Sequence, residues 1–369
     1  MGVLDDLDET ELLRLMVETP SVTGEEGALV AQLVDAMRAL GFRAHRDTVG
    51  NAVGELGTPG APLILLLGHI DTVPGDLKVY EDGGKLYGRG AVDAKGPLAT
   101  MVWAALRASA RCDAHLMVVG AVGEEGSSPG ARHLRGVVRP DAVVIGEPSG
   151  VGNVVLGYKG IIRFAIDISR PGAHTSSPAP KAVEVAADHW QAVRRRLAEV
   201  DASRPAFDRA IPALVALHGD VRRARVEISC RIPVDFDRDG FLGWLRELAG
   251  PDPLTVAESL PAVRSPRTDP VVAALREGIR RHVGAPTAKV KLGTADMNVV
   301  GPHWGVPIAA YGPGDSRLDH TDEEHVDLSE YLTAIDVLTT AVEELAAALA
   351  ATGGRTRGAA AGAEPGTTP

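Results

Sequence analysis

Apolar and polar positions along the chain follow two periods, and the changes between them mark out the elements. Asp8 to Val17 carries apolar residues at helical spacing, and Glu25 to Leu40 repeats the pattern until Gly41 stops it. Phe42 to Val49 and Asn51 to Leu56 read as short strands closed by a Gly57-Thr-Pro-Gly turn. Leu63 to Leu67 is an unbroken apolar run, as expected of a strand buried on both faces of a sheet. Pro97 takes a first helical position ahead of a buried helix over Leu98 to Ala110, and two more apolar strands follow at His115 to Ala121 and Asp141 to Ile145.

From Leu156 the pattern changes. Ile161 to Ile168, Ala213 to His218, Arg225 to Cys230 and Leu254 to Ser259 read as strands, with helices over Lys181 to Leu197 and Asp237 to Leu248. The order β-α-β-β-α-β is a split βαβ module with its own core. A helix over Asp269 to Val283, strands at Thr287 to Leu292 and Ile308 to Tyr311, and a long helix from Leu328 to Ala350 then return the chain to its first domain. The expected organisation is an α/β domain from 1–156 and 265–352, an inserted domain at 157–264, and a disordered tail at 353–369, where Gly, Ala, Thr and Pro show no periodicity.

Polar chemistry begins where the apolar strands stop. His69 and Asp71 lie two apart in extended chain, so both side chains leave on one side, at the carboxyl edge where open α/β sheets place ligands. A metal-bound imidazole commonly gives its other N–H to a carboxylate, which makes His69 a coherent ligand with Asp71 behind it. A glycine-rich loop delivers Asp93 as a bridging ligand. The next strand ends in Gly123-Glu124-Glu125-Gly126, where adjacent residues of extended chain point opposite ways, so one acid can ligate while the other faces substrate. The third ends in Gly146-Glu147-Pro148. Of His320 and His325 either or neither could be a ligand, with His320 preferred only because it lies in a loop.

The chain has 369 residues, enough for roughly two domains at about 150 residues each, and 45% apolar and 24% charged residues are ordinary for a globular protein. A net charge of −11 argues against a general nucleic-acid binder. Cys112 and Cys230 are far apart and form no thiolate zinc motif or disulfide framework. The N-terminus lacks a signal-peptide pattern and no apolar run is long enough to span a bilayer, so a cytoplasmic protein without membrane attachment is expected.

With His69, Asp93, Glu124-Glu125, Glu147 and His320 in this order, the chain resembles the zinc-dependent aminoacylase and carboxypeptidase metallopeptidases, a family that includes acetylornithine deacetylase, succinyl-diaminopimelate desuccinylase and glutamate carboxypeptidase. The resemblance covers Leu12 to Leu345. It implies a mixed-sheet dinuclear zinc-peptidase domain with an inserted βαββαβ lid and dimerisation domain, giving a homodimer. It assigns His69, Asp93 and Glu147 to one zinc and Asp93, Glu125 and His320 to the other, with cobalt as a possible replacement. Glu124 becomes the general base, Asp71 orients His69, and His174 stabilises an oxyanion. Arg231 grips a substrate carboxylate, with Gly293, Asp296 and Asn298 as further substrate contacts. Three segments, Gly88 to Leu98, Gly293 to Val300 and Ala310 to Thr321, are similar to the branch that hydrolyses LysW-lysine and LysW-ornithine. Such enzymes release an amino acid from the C-terminal glutamate of a small acidic carrier protein in lysine or arginine biosynthesis. An acidic carrier would need a local basic patch on an acidic enzyme, and Arg222, Arg223, Arg225, Lys289, Lys291 and Arg317 supply candidates. The alternative implied by the resemblance is a deacylase of free N-acyl amino acids such as acetylornithine.

Overall fold

A computed structural model describes residues 7–172, 174–198 and 203–360. Contacts divide the chain into two compact units: Met1–Leu156 with Ser265–Lys289 and Val299–Pro369, and Gly157–Arg264 with Val290–Asn298. The segment carrying Gly293, Asp296 and Asn298 therefore packs with the second unit.

In the first unit, helices α1 (Glu9–Glu18) and α2 (Gly27–Ala39) precede strands β1 (Arg43–Arg46), β2 (Ala52–Gly57) and β3 (Leu63–His69). Asp8 caps α1 by accepting the Glu11 N–H at 2.8 Å, which satisfies one of the donors a helix start leaves open. A short hairpin follows, β4 (Tyr80–Asp82) and β5 (Lys85–Tyr87), then α3 (Lys95–Ser109), β6 (His115–Ala121), α4 (Pro129–Val137), β7 (Ala142–Gly146) and β8 (Asn153–Tyr158). Because α3 begins at Lys95, Pro97 is its third residue and not its first. The N–H that proline lacks still belongs to the first turn, whose donors have no helical partners.

The chain passes through the second unit as β9 (Gly160–Ser169), α5 (Ala182–Ala198), β10 (Ile211–Gly219), β11 (Arg223–Ile232), α6 (Arg238–Ala249), β12 (Leu254–Leu260) and β13 (Val263–Arg264). It closes with α7 (Pro270–His282), β14 (Thr287–Lys291), α8 (Asp296–Trp304), β15 (Ile308–Tyr311), β16 (His325–Asp327) and α9 (Leu328–Ala360). Helix α9 runs past Gly353, so residues 353–360 of the expected tail are helical. Residues 361–369 lie outside the described residues.

The main sheet of the first unit has the order β1-β2-β6-β3-β7-β15-β8. Its centre, β6, β3, β7 and β15, is parallel, and its flanks are antiparallel. Ile64 to Leu67 are wholly buried, each side chain contributing roughly 1.5–3 kcal/mol by leaving water. Just before the carboxyl ends, Gly68 sits in register with Gly120 on one side and Gly146 on the other. This glycine row lets α3 approach the sheet: a Cβ on Gly146 would stand 2.9 Å from Met101, and one on Gly120 3.0 Å from Leu98. The functional loops leave the sheet directly beyond that row.

The second unit is a four-stranded antiparallel sheet, β10-β11-β9-β12. Alternate residues of β9 (Ile162, Phe164, Ile166) and β11 (Val226, Ile228, Cys230) form a core with Val193 and Leu197 of α5 and Phe241 and Leu245 of α6. On edge strand β10, Leu214 and Val215 are 40% and 62% exposed.

Candidate active site

Strands β6, β3 and β7 are neighbours and parallel, so their carboxyl ends bring three loops together. His69 is the last residue of β3 and is 2% exposed. Its Nδ1 faces the main-chain oxygen of Asp71 at 3.0 Å and the Asp71 carboxylate at 3.5 Å, leaving Nε2 directed at Asp93 Oδ1, 3.0 Å away, and Glu147 Oε1, 4.0 Å away. The other oxygen of Asp93 meets His320 Nε2 at 3.2 Å, and the same nitrogen lies 2.8 Å from Glu125 Oε1. Each oxygen of Asp93 thus faces one imidazole. Asp93, Glu125 and His320 offer ligand atoms all within 4.8 Å of one another.

His320 rather than His325 joins this group. Its backbone is in the left-handed region, φ 62°, a conformation that costs a non-glycine residue energy and that recurs where a loop must aim a side chain. His325 instead lies in β16, 3.2 Å from Lys85 Nζ and tilted against Tyr87 at 4.7 Å.

Glu124 and Glu125 do not diverge by strand alternation, as the sequence pattern implies. They lie in a turn in which Gly126 and Ser128 donate main-chain N–H groups to Gly123 O. Asp71, wholly buried, holds that turn: its oxygens accept the N–H of Glu124 at 3.0 Å, the N–H of Glu125 at 3.1 Å and the Thr23 hydroxyl at 2.7 Å. Asp71 therefore touches both the imidazole of His69 and the main chain of both glutamates. Thr23 has no mark in the sequence that would single it out, since its loop is paired to residue 72 by main-chain bonds. Glu324 and Arg89, also unmarked, lie behind Asp93: Glu324 accepts the N–H of Val92 at 3.0 Å and of Asp93 at 3.1 Å, and Arg89 Nη1 at 2.8 Å.

The electrostatics follow from this crowding. Burial opposes a charge on His69, but hydrogen bonds to Asp71 and Asp93 outweigh it and raise its proton affinity well above the usual imidazole range, with Glu124 adding to the effect. Asp93 likewise raises His320, to about 9, against burial and with help from Glu125. Burial and the charge of Asp93 push the Glu125 carboxyl up, against the two imidazoles. Four carboxylates, Asp93, Glu124, Glu125 and Glu147, converge with two imidazoles, an excess of negative charge that divalent cations would neutralise. Mixed oxygen and imidazole donors suit zinc or cobalt.

His174, Arg231, Gly293, Asp296 and Asn298 belong to the second unit. His174 is exposed, and its Nδ1 lies 2.7 Å from the Ser176 hydroxyl and 3.2 Å from the Ser176 main-chain nitrogen. Arg231 donates to Thr294 Oγ1 at 3.2 Å. Asn298, 1% exposed, donates to Lys159 O and Pro261 O and accepts the Ala295 N–H, while Asp296 is 3% exposed. A Cβ on Gly293 would meet nothing within 4 Å. Among the basic candidates, Arg225 pairs with Asp167 and Glu227, Arg317 with Asp315, and Lys289 donates to Ser149 O. These three are engaged within the chain.

Fold and site together define a metal-dependent hydrolase. The chain belongs to peptidase family M20/M25/M40, whose model matches residues 65–344. It is 43% identical over 350 residues to the LysW-lysine hydrolase of Deinococcus radiodurans, covering 91% of this chain and 96% of that one. It is 31% identical to the LysW-lysine/LysW-ornithine hydrolase of Saccharolobus islandicus, over 76% and 81% of the two chains. A dinuclear metal-binding M20 peptidase from Bacillus subtilis shares the fold, with a TM-score of 0.70 at 16% identity over 92% of this chain and 96% of that one. No helix among the described residues is long and apolar enough to cross a membrane.

Proposed function

We propose that the chain hydrolyses the amide joining the C-terminal glutamate of a small acidic amino-group carrier protein to the α-amino group of lysine, ornithine or a related amino acid. The observation that carries this reading is the placement of Asp93 between two imidazoles in a chain so similar, over nearly its whole length, to a LysW-lysine hydrolase. In it, His69, Asp93 and Glu147 hold one cation and Asp93, Glu125 and His320 a second, zinc or cobalt. Such cations would acidify a water and polarise the scissile carbonyl.

The chain's own residues do the rest. Glu124, presented by the turn that Asp71 holds, takes the proton of the attacking water and passes it to the departing amine as the carbon–nitrogen bond breaks and the carbon–oxygen bond forms. His174 is suited to donate a hydrogen bond to the carbonyl oxygen as it becomes negative. Arg231 is suited to pair with a substrate carboxylate, with Gly293, Asp296 and Asn298 shaping that part of the second unit. A homodimer through the inserted domain is part of the reading, supported by the exposed apolar edge of β10. So is a cytoplasmic location, where carrier-bound intermediates would be made.

Kinetics on a purified carrier–lysine conjugate and on Nα-acetylornithine test the substrate. A higher kcat/KM on the conjugate is expected. Faster turnover of acetylornithine would favour a deacylase of free N-acyl amino acids, acting through the same site.

A further inference from the structure

We infer that Glu324 is a positioning residue that sets Asp93 in register with the His320 loop, an inference that rests on the cation-binding reading above. Glu324 is 1% exposed. Its Oε1 accepts two consecutive main-chain N–H groups, of Val92 and of Asp93, and its Oε2 accepts Arg89 Nη1. Main-chain oxygens of the same loop add to the tie: Gly88 N–H donates to Glu324 O at 3.1 Å, and Arg89 Nη1 donates to Thr321 O at 3.1 Å. Glu324 follows His320 by four residues. One carboxylate therefore fixes the backbone on which Asp93 is carried to the loop on which His320 is carried.

The construction repeats the one at Asp71. There a buried carboxylate spans the N–H groups of Glu124 and Glu125, and here one spans those of Val92 and Asp93. Ligands on loops hold their geometry only when groups behind them fix the main chain, and losing such a group commonly weakens metal binding. Glu324 reaches the reacting atoms only through Asp93.

The test compares Glu324→Ala and Glu324→Gln with Asp269→Ala. Asp269 is a buried carboxylate of the same unit that accepts Val271, Val272 and Ile308 N–H groups and makes no contact with the cluster. Affinity for Zn²⁺ is read by chelator competition on folded protein, and thermal unfolding is followed on cation-depleted protein. Glu324→Ala should bind about 10- to 100-fold more weakly. Glu324→Gln, keeping one oxygen for the two N–H groups, should lose less, and Asp269→Ala should melt earlier at unchanged affinity. If Glu324→Ala behaves like Asp269→Ala, Glu324 serves the fold alone and the inference is overturned. Should the alanine variant not fold, Glu324→Gln decides: weaker binding supports positioning and unchanged binding overturns it. Unmodified protein that takes up no cation overturns the metal reading as well, whereas uptake indifferent to Glu324 removes only the positioning role.

Discussion

Replacing Asp71 by Asn preserves the side-chain shape and turns one acceptor oxygen into an N–H₂ donor. The two oxygens serve the N–H groups of Glu124 and Glu125, the Thr23 hydroxyl and the neighbourhood of His69 Nδ1. The threonine hydroxyl can rotate to accept, but a main-chain N–H cannot. Whichever way the amide turns, one of the two glutamate N–H groups faces a donor. Losing one hydrogen bond to a charged group costs about 1.5–3 kcal/mol, so the cation-free protein should be destabilised by that amount. Because the turn carries both Glu125 and Glu124, the loss should also appear at the site, as cation affinity weakened about 10- to 100-fold, or about 1.4–2.8 kcal/mol. Turnover at saturating cation should fall too, as Glu124 loses its support. Chelator competition, steady-state kinetics and thermal unfolding of the same preparation separate these effects. An Asp71→Asn enzyme that melts early yet keeps unmodified affinity and kcat would refute the argument that Asp71 holds the site and leave it a purely structural acid.

Glu124→Gln should keep its cations and its melting temperature while kcat falls about 10²- to 10⁴-fold, whereas Glu125→Gln should weaken cation binding; near-full activity in the first would remove Glu124 as the base. In the second unit, hydrogen bonds from Arg170 at 2.8 Å hold the Asp252 carboxyl below its usual 3.8. A carboxyl whose folded value is depressed contributes stability that is complete above 3.8 and vanishes as pH falls through the folded value. Asp252→Asn should therefore melt earlier at neutral pH, with a difference that shrinks in acid; a constant difference would contradict the pairing. The proposed homodimer predicts a dimer's mass for the unmodified protein by light scattering and a monomer's for Leu214→Lys with Val215→Lys; a monomer's mass before substitution would contradict the dimer, and a dimer's mass after it would contradict an interface at β10.

The parts of the fold that the sequence pattern reveals are those buried enough to be apolar throughout. Leu63–His69, His115–Ala121 and Ile308–Tyr311 stand out because a central parallel strand meets packing on both faces. β4 is exposed at every residue and α4 buries only Gly130, Ala131 and Leu134, so neither leaves a periodic trace. α8 is hidden by Pro302 and a short polar start, and β8 by its position where the two patterns meet. At the site, acids and histidines at strand ends can be read directly. Thr23, Arg89 and Glu324 cannot, because Thr23 acts on the Asp71 carboxylate, Arg89 on Glu324 and main-chain carbonyls, and Glu324 on main-chain N–H groups, and such partners have no signature in a side-chain pattern. The turn at Glu124-Glu125 misleads for a related reason: its shape comes from Asp71, 53 residues earlier.

The proposed site turns on Asp93, shared between two cations. Elemental analysis and chelator competition on unmodified protein and Asp93→Ala, both shown to be folded, test it most directly. Two divalent cations per unmodified chain are expected, with both lost in Asp93→Ala, since each oxygen of Asp93 faces one imidazole. Two cations still held by Asp93→Ala, or loss of only one with the other bound as tightly as before, would contradict it.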